Sequence, residues 1–392
     1  MPPEPLFDII LVDEAQDFSP NFLRMCYDLL TEEKRLVYAY DELQSLTDRS
    51  LPPPEEMFGF KADGATPNVQ FMEPAPGRPS QDIILETCYR NSRPVLATAH
   101  ALGFGIYRDV DPKSGTGLIQ MFDNAQLWED VGYSIKEGDL KDGQAVALAR
   151  SPETSPTFLE EPKQADSLIE FLCFDTPAQQ ASWLVGAIEK NIKDDDLGYD
   201  DIIVINPHPL TTVKQVAAPR RMLFEKDIQS HVAGVDTASD VFFSAESDSV
   251  AFTGIFRAKG NEAGMVYVIN GQDCYSSFGN TARIRNQLFT AITRSKAWVK
   301  VLGYGNDMKK LRDEFQRVVD ANYELRFTYP DEDTRKHLNV INRDLTSVQK
   351  TKIKGAAATL NELLADITRG DVMIGDLPKE QVTALRALLS GQ

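Results

Sequence analysis

The sequence has little of what metal centres, disulfide frameworks and membrane anchors require. Its 392 residues include four cysteines and four histidines, scattered without the spacing of a metal site or a disulfide pattern. It has no apolar run of about 18 residues. Its first residues, MPPEPLF, lack the basic start and apolar stretch of a signal peptide. We therefore expect a cytoplasmic chain that has no contact with a membrane.

Positive charge is also scarce. The chain has 41 Lys and Arg residues against 59 Asp and Glu residues, for a net charge of −18. This balance excludes a protein that coats nucleic acid by bulk electrostatics, but it allows one local basic groove. The length is sufficient for two or three domains, and an apolar content of 42% is sufficient for a core.

The pattern at the start of the chain is that of a βαβ unit. Residues 7–13 form a continuous apolar run that predicts a buried strand. An amphipathic helix is predicted over 21–30, with Ser19 as N-cap and Pro20 at its first position. The segment RLVYAYDELQSL then predicts a second strand that enters a polar turn at Asp41. Strand, helix and strand in this order indicate a parallel sheet.

The rest of the chain continues this pattern with interruptions. The Pro- and Gly-rich stretch 47–82 predicts a loop or interdomain crossing, and 107–165 looks irregular and polar apart from a strand at AVALAR. Further strands are predicted at 169–175, 200–208, 248–256, 265–271 and, as the last, 298–304. Helices are predicted at 92–103, 177–193, 213–228, 283–296, and in the tail at 347–370 and 378–391.

The acidic pair Asp13 and Glu14 follows the first strand directly. Open α/β sheets bind ligands at this end of their strands. One acid could hold a Mg²⁺ ion through water, while its neighbour orients an attacking water beside a nucleotide triphosphate. A bare acidic pair is more often a solvated strand end, but the longer LVDEAQD is more specific.

Two further segments offer groups that suit a nucleotide. Gln44, in the turn YDELQ, could sense a γ-phosphate, although a polar turn explains it equally well. In ETCYRNS, Tyr89 could stack on a base and Arg90 could neutralise phosphate charge. A packed tyrosine beside a structural arginine is an equally good reading.

Two segments in the second half of the chain add basic groups. In FRAKGNEAGMVYVING, Gly260 lets a basic turn carrying Arg257 and Lys259 approach a phosphate or backbone closely, and Glu262 could accept a ribose hydroxyl. In FTAITRSKAWVKVLG, Arg294 lies between a helix and a strand, as a second candidate arginine finger.

In this order the segments resemble the motifs of the UvrD, Rep and PcrA family of superfamily 1 helicases. VDEAQD resembles motif II, YDELQSL motif III and YRNS motif IV, while IFRAKGNEAGMVYV resembles motif V and FTAITRSK motif VI. The resemblance extends over about residues 7–305. It implies an α/β fold of the phosphate-loop NTPase helicase type, with RecA-like parallel sheets, flanking helices and a C-terminal helical tail.

The resemblance also implies a domain division and an activity. Residues 1–82 would be the remnant of a first RecA-like domain, 83–328 the second, and 329–392 the helical tail. ATP and Mg²⁺ would bind between the domains, and ATP hydrolysis would drive movement on single-stranded DNA, 3′ to 5′.

Roles follow from the resemblance residue by residue. Asp13 would hold Mg²⁺ and Glu14 would be the general base. The γ-phosphate would be contacted by Gln44, Arg90 and Arg294. Adenine would stack on Tyr89, the ribose would bind Glu262 beside Gly260, and Arg257 and Lys259 would contact DNA.

The sequence departs from the family at several points. It contains no GxxxxGK[ST] phosphate loop (Walker A), which lies upstream of motif II in these helicases. TDRSLPPPEEMFGF replaces the aromatic continuation of motif III, so Phe58 or Phe60 would have to stack on a base. Phe256 stands at the motif V histidine, and the large insertion of the second domain is missing.

We therefore expect the C-terminal part of a helicase, either a truncated product, an expressed fragment or one half of a split protein. Alone it should hydrolyse ATP negligibly, and a missing N-terminal half or a partner subunit should supply the Walker A loop. One alternative is a non-enzymatic half-motor that acts as a scaffold and docks a partner. Another is an RNA-acting superfamily 1 relative.

Overall fold

A computed structural model describes residues 4–47, 51–71, 81–112, 114–157, 159–160, 165–237, 248–276, 280–341 and scattered positions between 355 and 383. The chain divides into two compact units. The first consists of residues 1–51 and 83–343, and the second of residues 52–82 and 344–392. The domain boundaries predicted at residues 82 and 328 stay a prediction.

The strands and helices are numbered in chain order. The strands are β1 (Phe7–Val12), β2 (Leu30–Tyr38), β3 (Gln120–Phe122), β4 (Tyr133–Gly138), β5 (Ala145–Arg150), β6 (Ile169–Phe174), β7 (Ile202–Asn206), β8 (Ser230–Val232), β9 (Val250–Gly254), β10 (Ala263–Val268), β11 (Ser295–Tyr304), β12 (Leu325–Thr328) and β13 (Asn339–Ile341). The helices are α1 (Pro20–Asp28), α2 (Pro54–Phe58), α3 (Arg93–Phe104), α4 (Leu127–Asp130), α5 (Ala165–Leu168), α6 (Pro177–Lys193), α7 (Thr212–Phe224), α8 (Ile255–Ala258), α9 (Thr281–Ile292), α10 (Gly305–Asp320) and α11 (Glu332–Arg335).

A six-stranded, all-parallel sheet is the centre of the first unit. Its strand order is β6-β11-β10-β7-β9-β8. Successive residues of β7 point to opposite faces: Ile202 and Val204 pack with α6 and α7, whereas Ile203 and Ile205 pack with α3, α9 and α10. Burial on both faces explains why β7 is a continuous apolar run as far as Ile205. The predicted α/β fold, with a parallel sheet and flanking helices, is confirmed.

The predicted βαβ unit is also present. β1 pairs with β2 in parallel, and α1 begins with Ser19, whose hydroxyl accepts a hydrogen bond from the Phe22 N–H at 3.3 Å, and with Pro20 at its first position. The helix is shorter than the predicted 21–30, because Leu30 already begins β2.

The prediction that the first strand is buried is wrong. Ile9 is 54% exposed, Leu11 is 70% exposed, and Val37, the register partner of Leu11 on β2, is 56% exposed. Ile9 and Leu11 are two residues apart, so they share a face of the strand; we call Ile9, Leu11 and Val37 the open face. An apolar sequence allows a strand to be buried, but burial also requires other elements that pack on it. No described residue covers this face.

Two further predictions about the middle and end of the chain are wrong. Residues 107–165 contain β3, α4 and β4 besides the predicted strand at β5. The strand β11 is not the last, since β12 follows in an antiparallel sheet of order β12-β5-β4, and β13 pairs with β3. These elements are three to six residues long, and distant partners rather than a strong local pattern stabilise them.

The second unit is described only in part. Its segment 52–71, predicted to be a loop, contains α2 and an isolated bridge between Phe60 and Pro67. In the predicted tail helix 347–370, residues 355, 359–360, 362–367 and 369 are helical, and the other residues of this prediction lie outside the described part. Of the helix predicted over 378–391, only 378, 379, 382 and 383 are described. None of the described helices is long and apolar enough to cross a membrane.

Candidate active site

The acidic pair lies where the sequence predicts it, directly after β1. Glu14 has φ 52° and ψ 46°, a left-handed conformation that is uncommon for residues other than glycine. Its N–H donates to Asp13 Oδ1 at 2.9 Å, and its side-chain Oε2 accepts from Gln16 Nε2 at 2.7 Å. Strained backbone held by such contacts is often found at functional sites.

Gln16 is a residue of this site that sequence analysis did not single out. Its side chain is buried, and its Oε1 accepts from the Asp41 N–H at 3.2 Å while its Nε2 holds Glu14. One amide therefore connects the turn after β1 with the turn after β2. Its place inside LVDEAQD was the available signal.

The predicted Gln44 ends a short 3-10 helix, Glu42–Gln44, that Asp41 caps. Asp41 Oδ1 accepts from the Leu43 N–H at 3.0 Å, and its Oδ2 accepts from Gln44 Nε2 at 2.8 Å. Burial raises the pKa of Asp41 more than these hydrogen bonds lower it, and the charge of Glu14 raises it further. The Gln44 amide is thereby fixed with its oxygen toward Arg294.

Arg294 joins this turn from the other end of the unit. It lies just after α9, is 3% exposed, and donates to Gln44 Oε1 at 2.5 Å and to the Thr290 carbonyl at 3.2 Å. Burial lowers the pKa of Arg294 to about 10, and the charge of Arg90 adds to this effect. The carboxylates of Glu14, Asp41 and Glu262 oppose it, so this guanidinium lies among charged groups from all the motifs.

A second contact holds α9 against the same turn. Asn286 Nδ2 donates to the carbonyls of Glu42 and Ser45, both at 3.2 Å, and its Oδ1 accepts from Gln120 Nε2 at 2.9 Å. Sequence analysis missed Asn286, because a polar residue on a helix carries no signal of a partner more than 200 residues away.

Arg90, Glu262 and the neighbouring Lys296 form an ionic cluster. Arg90 Nη1 and Lys296 Nζ each lie 3.0 Å from one oxygen of Glu262. Burial alone would raise the pKa of Glu262, but the hydrogen bonds from the two cations outweigh it and leave the pKa lowered. Arg90 Nε is buried without a hydrogen-bond acceptor among the described residues. The adjacent Tyr89 is 87% exposed.

Lys259 lies inside the acidic site. Its side chain is 5% exposed, and its Nζ lies 2.8 Å from Asp17 Oδ2, 3.2 Å from Glu14 Oε2 and 3.0 Å from the Gln44 carbonyl. The predicted companion Arg257 is elsewhere: its Nη1 donates to the Ala233 carbonyl at 3.1 Å. The structure does not bring these two predicted DNA contacts together.

Gly260 follows Lys259 with φ +83°, a value that favours glycine. A Cβ added there would meet no atom within 4 Å, so the backbone conformation rather than lack of space explains the residue. The predicted Phe58 and Phe60 belong to the other compact unit.

Among the described residues, no group of three or more His, Cys, Asp or Glu side chains is arranged to bind a metal ion. Asp13 is exposed, and no described residue donates to its Oδ2. Such a site could hold only an ion that keeps most of its waters, as Mg²⁺ does.

Comparison with known proteins bears on this site. Residues 249–302 match the UvrD-like helicase C-terminal domain family, and this segment contains Lys259, Glu262 and Arg294. No curated protein sequence matches the chain significantly. The matched segment begins one residue before β9 and ends within β11.

Two solved structures show weaker similarity. One is the C-terminal domain of a possible DNA helicase from Lactobacillus plantarum WCFS1, with 16% identity and a TM-score of 0.27 over 38% of this chain and 80% of that one. The other is arterivirus nonstructural protein 10, a helicase solved with DNA, with 10% identity and a TM-score of 0.23 over 54% of this chain and 47% of that one. The chain thus spans about half the length of the viral helicase, and neither TM-score by itself establishes a common fold. The family match confirms the predicted resemblance: residues 249–302 carry the signature of a UvrD-like helicase C-terminal domain.

Proposed function

We propose that this chain is the C-terminal part of an ATP-dependent motor that moves on single-stranded DNA in the cytoplasm, with 3′ to 5′ polarity. The observation that carries the proposal is the contact of Arg294 with Gln44, two residues 250 positions apart in the sequence. It unites the segments that resemble motifs III and VI in one cluster with Glu14 and Lys259. The family match at 249–302 supports the same assignment.

The residues of the cluster suit hydrolysis of a nucleoside triphosphate. Glu14 would orient and deprotonate the attacking water, because its Oε2 is held by two donors and no described residue donates to its Oε1. Gln44 and Arg294 would contact the γ-phosphate, where a guanidinium compensates the charge that develops in the transition state. Arg294 remains charged at neutral pH even with a pKa of about 10.

The other predicted nucleotide contacts form the adjacent ionic cluster. Arg90 Nε has no described acceptor, so a phosphate oxygen would satisfy it. Tyr89 is exposed and available to stack on adenine. Glu262 would accept the ribose hydroxyl with Oε1, which also pairs with the half-exposed Lys296, while Arg90 holds Oε2. Arg257 is the candidate for contact with the DNA backbone.

Mg²⁺ fits this site at Asp13, through water. The carboxylate is exposed and no described residue donates to its Oδ2, and Mg²⁺ takes one or two protein carboxylates together with phosphate oxygens. When bound, the ion would neutralise phosphate charge during transfer. The chain's own contribution is to hold Asp13 beside Glu14 by the bond between the Glu14 N–H and Asp13 Oδ1.

The phosphate loop has to come from another segment or subunit, since the sequence contains no GxxxxGK[ST]. Parallel sheets are normally covered on both faces, and the open face of β1 and β2 lies next to the acidic pair. We infer that a segment carrying the phosphate loop packs on this face, and that the chain alone hydrolyses ATP negligibly.

A second candidate function rests on the same open face. The chain could be a scaffold that binds a partner through Ile9, Leu11 and Val37 and performs no chemistry. The two candidates differ in whether the bound partner brings a phosphate loop.

The test is single-stranded-DNA-stimulated ATPase activity, measured for the chain alone and for the chain mixed with an N-terminal helicase fragment that contains the phosphate loop. We expect activity only in the mixture. Glu14→Gln and Arg294→Ala should each reduce it by about 10³-fold, because each removes a group that acts in the transition state.

Arg312→Ala is the matched control for Arg294→Ala, since Arg312 is exposed and pairs with its neighbour Asp313. It should leave the activity unchanged. A mixture that binds but stays inactive would reject the motor and favour the scaffold. Turnover by the chain alone above the Glu14→Gln level would reject the need for a second segment.

A further inference from the structure

The ammonium group of Lys259 lies in the acidic site and pairs with Glu14, the residue that follows the proposed metal ligand Asp13. An ammonium has three N–H donors, and Nζ has three oxygen partners at 2.8 to 3.2 Å, from Asp17, Gln44 and Glu14. With 5% of the side chain exposed, its acceptors are supplied by protein rather than by water. Lys259 is therefore an internal counter-ion rather than a surface lysine.

The position of this charge matters for the metal proposed above. Glu14 is next to Asp13 in sequence and is bonded to it through the Glu14 N–H. A divalent cation at Asp13 would lie beside Glu14, whose Oε2 already pairs with the charge of Lys259, and like charges within one site repel each other. The two cations therefore disfavour each other.

The backbone around Lys259 allows its side chain to move out of the acidic site. Lys259 follows the four-residue helix α8 and precedes Gly260, whose φ of +83° is easily changed because glycine has no Cβ. A Cβ at Gly260 would meet nothing within 4 Å, so there is open space beside this turn. Asp17 and Glu14 are about one-third exposed, so water can solvate them after Lys259 leaves.

We propose that Lys259 and a divalent metal ion compete for the acidic site, so that metal binding at Asp13 releases Lys259 and the turn that carries it. The inference rests on the proposed function, since it takes Asp13 as the metal ligand. It adds a coupling between metal binding and the neighbouring contacts. The segment that the metal would release runs from Arg257, the candidate DNA contact, to Glu262, which pairs with Arg90.

The first test measures binding of Mn²⁺ alone, by electron paramagnetic resonance, to the full chain and to Lys259→Met. We expect Lys259→Met to bind Mn²⁺ about tenfold more tightly, because the competing charge is gone. Lys259→Arg, which keeps the charge, should show no such gain. Lys226→Met, which removes a lysine paired with Glu189 on the surface, is the matched control and should bind Mn²⁺ like the unmodified chain.

The second test uses the unmodified chain, so it does not depend on the folding of a variant. Acetic anhydride labels exposed lysines, and the label is located by mass spectrometry. Saturating Mn²⁺ should raise the labelling of Lys259 several-fold and leave that of Lys226 unchanged. Constant labelling of Lys259 with Mn²⁺ bound would overturn the proposal.

Failure of this inference can be told from failure of the proposed function. If Mn²⁺ binds the chain and Lys259→Met equally, and Asp13→Asn abolishes both, only the competition is rejected. If neither protein binds Mn²⁺, the metal role of Asp13 is rejected and the competition with it. Circular dichroism of each variant verifies that it is folded.

Discussion

His100 lies in the core of the first unit, and its ring contacts Tyr133, Phe104 and Phe289. Its Nδ1 is 2.7 Å from the Tyr133 hydroxyl. Burial, with a smaller contribution from the charge of Arg150, lowers the pKa of His100 to about 3. In the unfolded chain the pKa would be about 6.5. Between these two values the unfolded state therefore binds one proton that the folded state does not.

This difference predicts the pH dependence of stability. The contribution of His100 is fully present above pH 6.5 and is lost as the pH falls toward 3, at up to about 1.4 kcal/mol per pH unit. We expect His100→Gln to flatten the dependence of the unfolding free energy between pH 6.5 and 5, measured by urea denaturation. His337→Gln, at an exposed histidine, should not. If the unfolding free energies of His100→Gln and of the unmodified chain changed equally with pH, His100 would not be a buried neutral imidazole in the folded state.

At the scale of single residues, the sequence predicted which residues belong to the site better than it predicted their contacts. The motif order predicted Glu14, Gln44 and Arg294, and the structure brings all three together with Lys259. The position of Lys259 in the acidic site could not be predicted, because its contacts with Glu14 and Gln44 join segments that are more than 200 residues apart. Gln16, whose partners Glu14 and Asp41 are 2 and 25 residues away, could have been found from its place inside LVDEAQD.

At the scale of elements, helix α9 holds the turn after β2 in place through Asn286. We expect Asn286→Ala to lower the free energy of unfolding by about 2 kcal/mol, since it removes the donor to the buried Ser45 carbonyl and to the half-buried Glu42 carbonyl. Amide exchange at residues 42–46 should also become faster. Gln316→Ala, which removes an exposed amide on α10, is the control and should cost less than about 0.5 kcal/mol. Equal exchange rates at 42–46 in both variants would show that Asn286 does not hold the turn.

Elements with strong local signals were predicted well. The helix predicted over 177–193 is α6 to the residue, because Thr176 and Gln179 form a capping box and Pro177 takes the first position. In contrast, β3, β4 and β13 were missed, since a short strand is specified mostly by its pairing partner. The exposure of β1 was mispredicted for a related reason. Its apolar pattern is that of a strand covered on both faces, but no described residue packs on the face that carries Ile9 and Leu11.

At the scale of the whole molecule, the open face should decide whether the chain meets a second segment. We expect Leu11→Lys to abolish the ATPase activity of the mixture with the phosphate-loop fragment, because a charge would be buried in the contact. The stability of the chain itself should change by less than about 0.5 kcal/mol, since Leu11 is 70% exposed.

Leu210→Lys is the control for this prediction, as Leu210 is 91% exposed but does not belong to the open face. Analytical ultracentrifugation of each mixture separates loss of binding from loss of chemistry. Full activity of the Leu11→Lys mixture would place the docking surface elsewhere.

The pairing of β12 with β5 has a consequence for how the protein is made. Ala145 and Thr328 are register partners, so β5 leaves the ribosome roughly 180 residues before the strand that completes its sheet. At about 5 to 20 residues per second, this interval lasts about 10 to 40 s. During that time the edge of β5 that β12 will occupy is open to other strands. The antiparallel sheet thus keeps one edge open to mispairing during this part of synthesis, and slowing translation beyond residue 150 would lengthen that exposure.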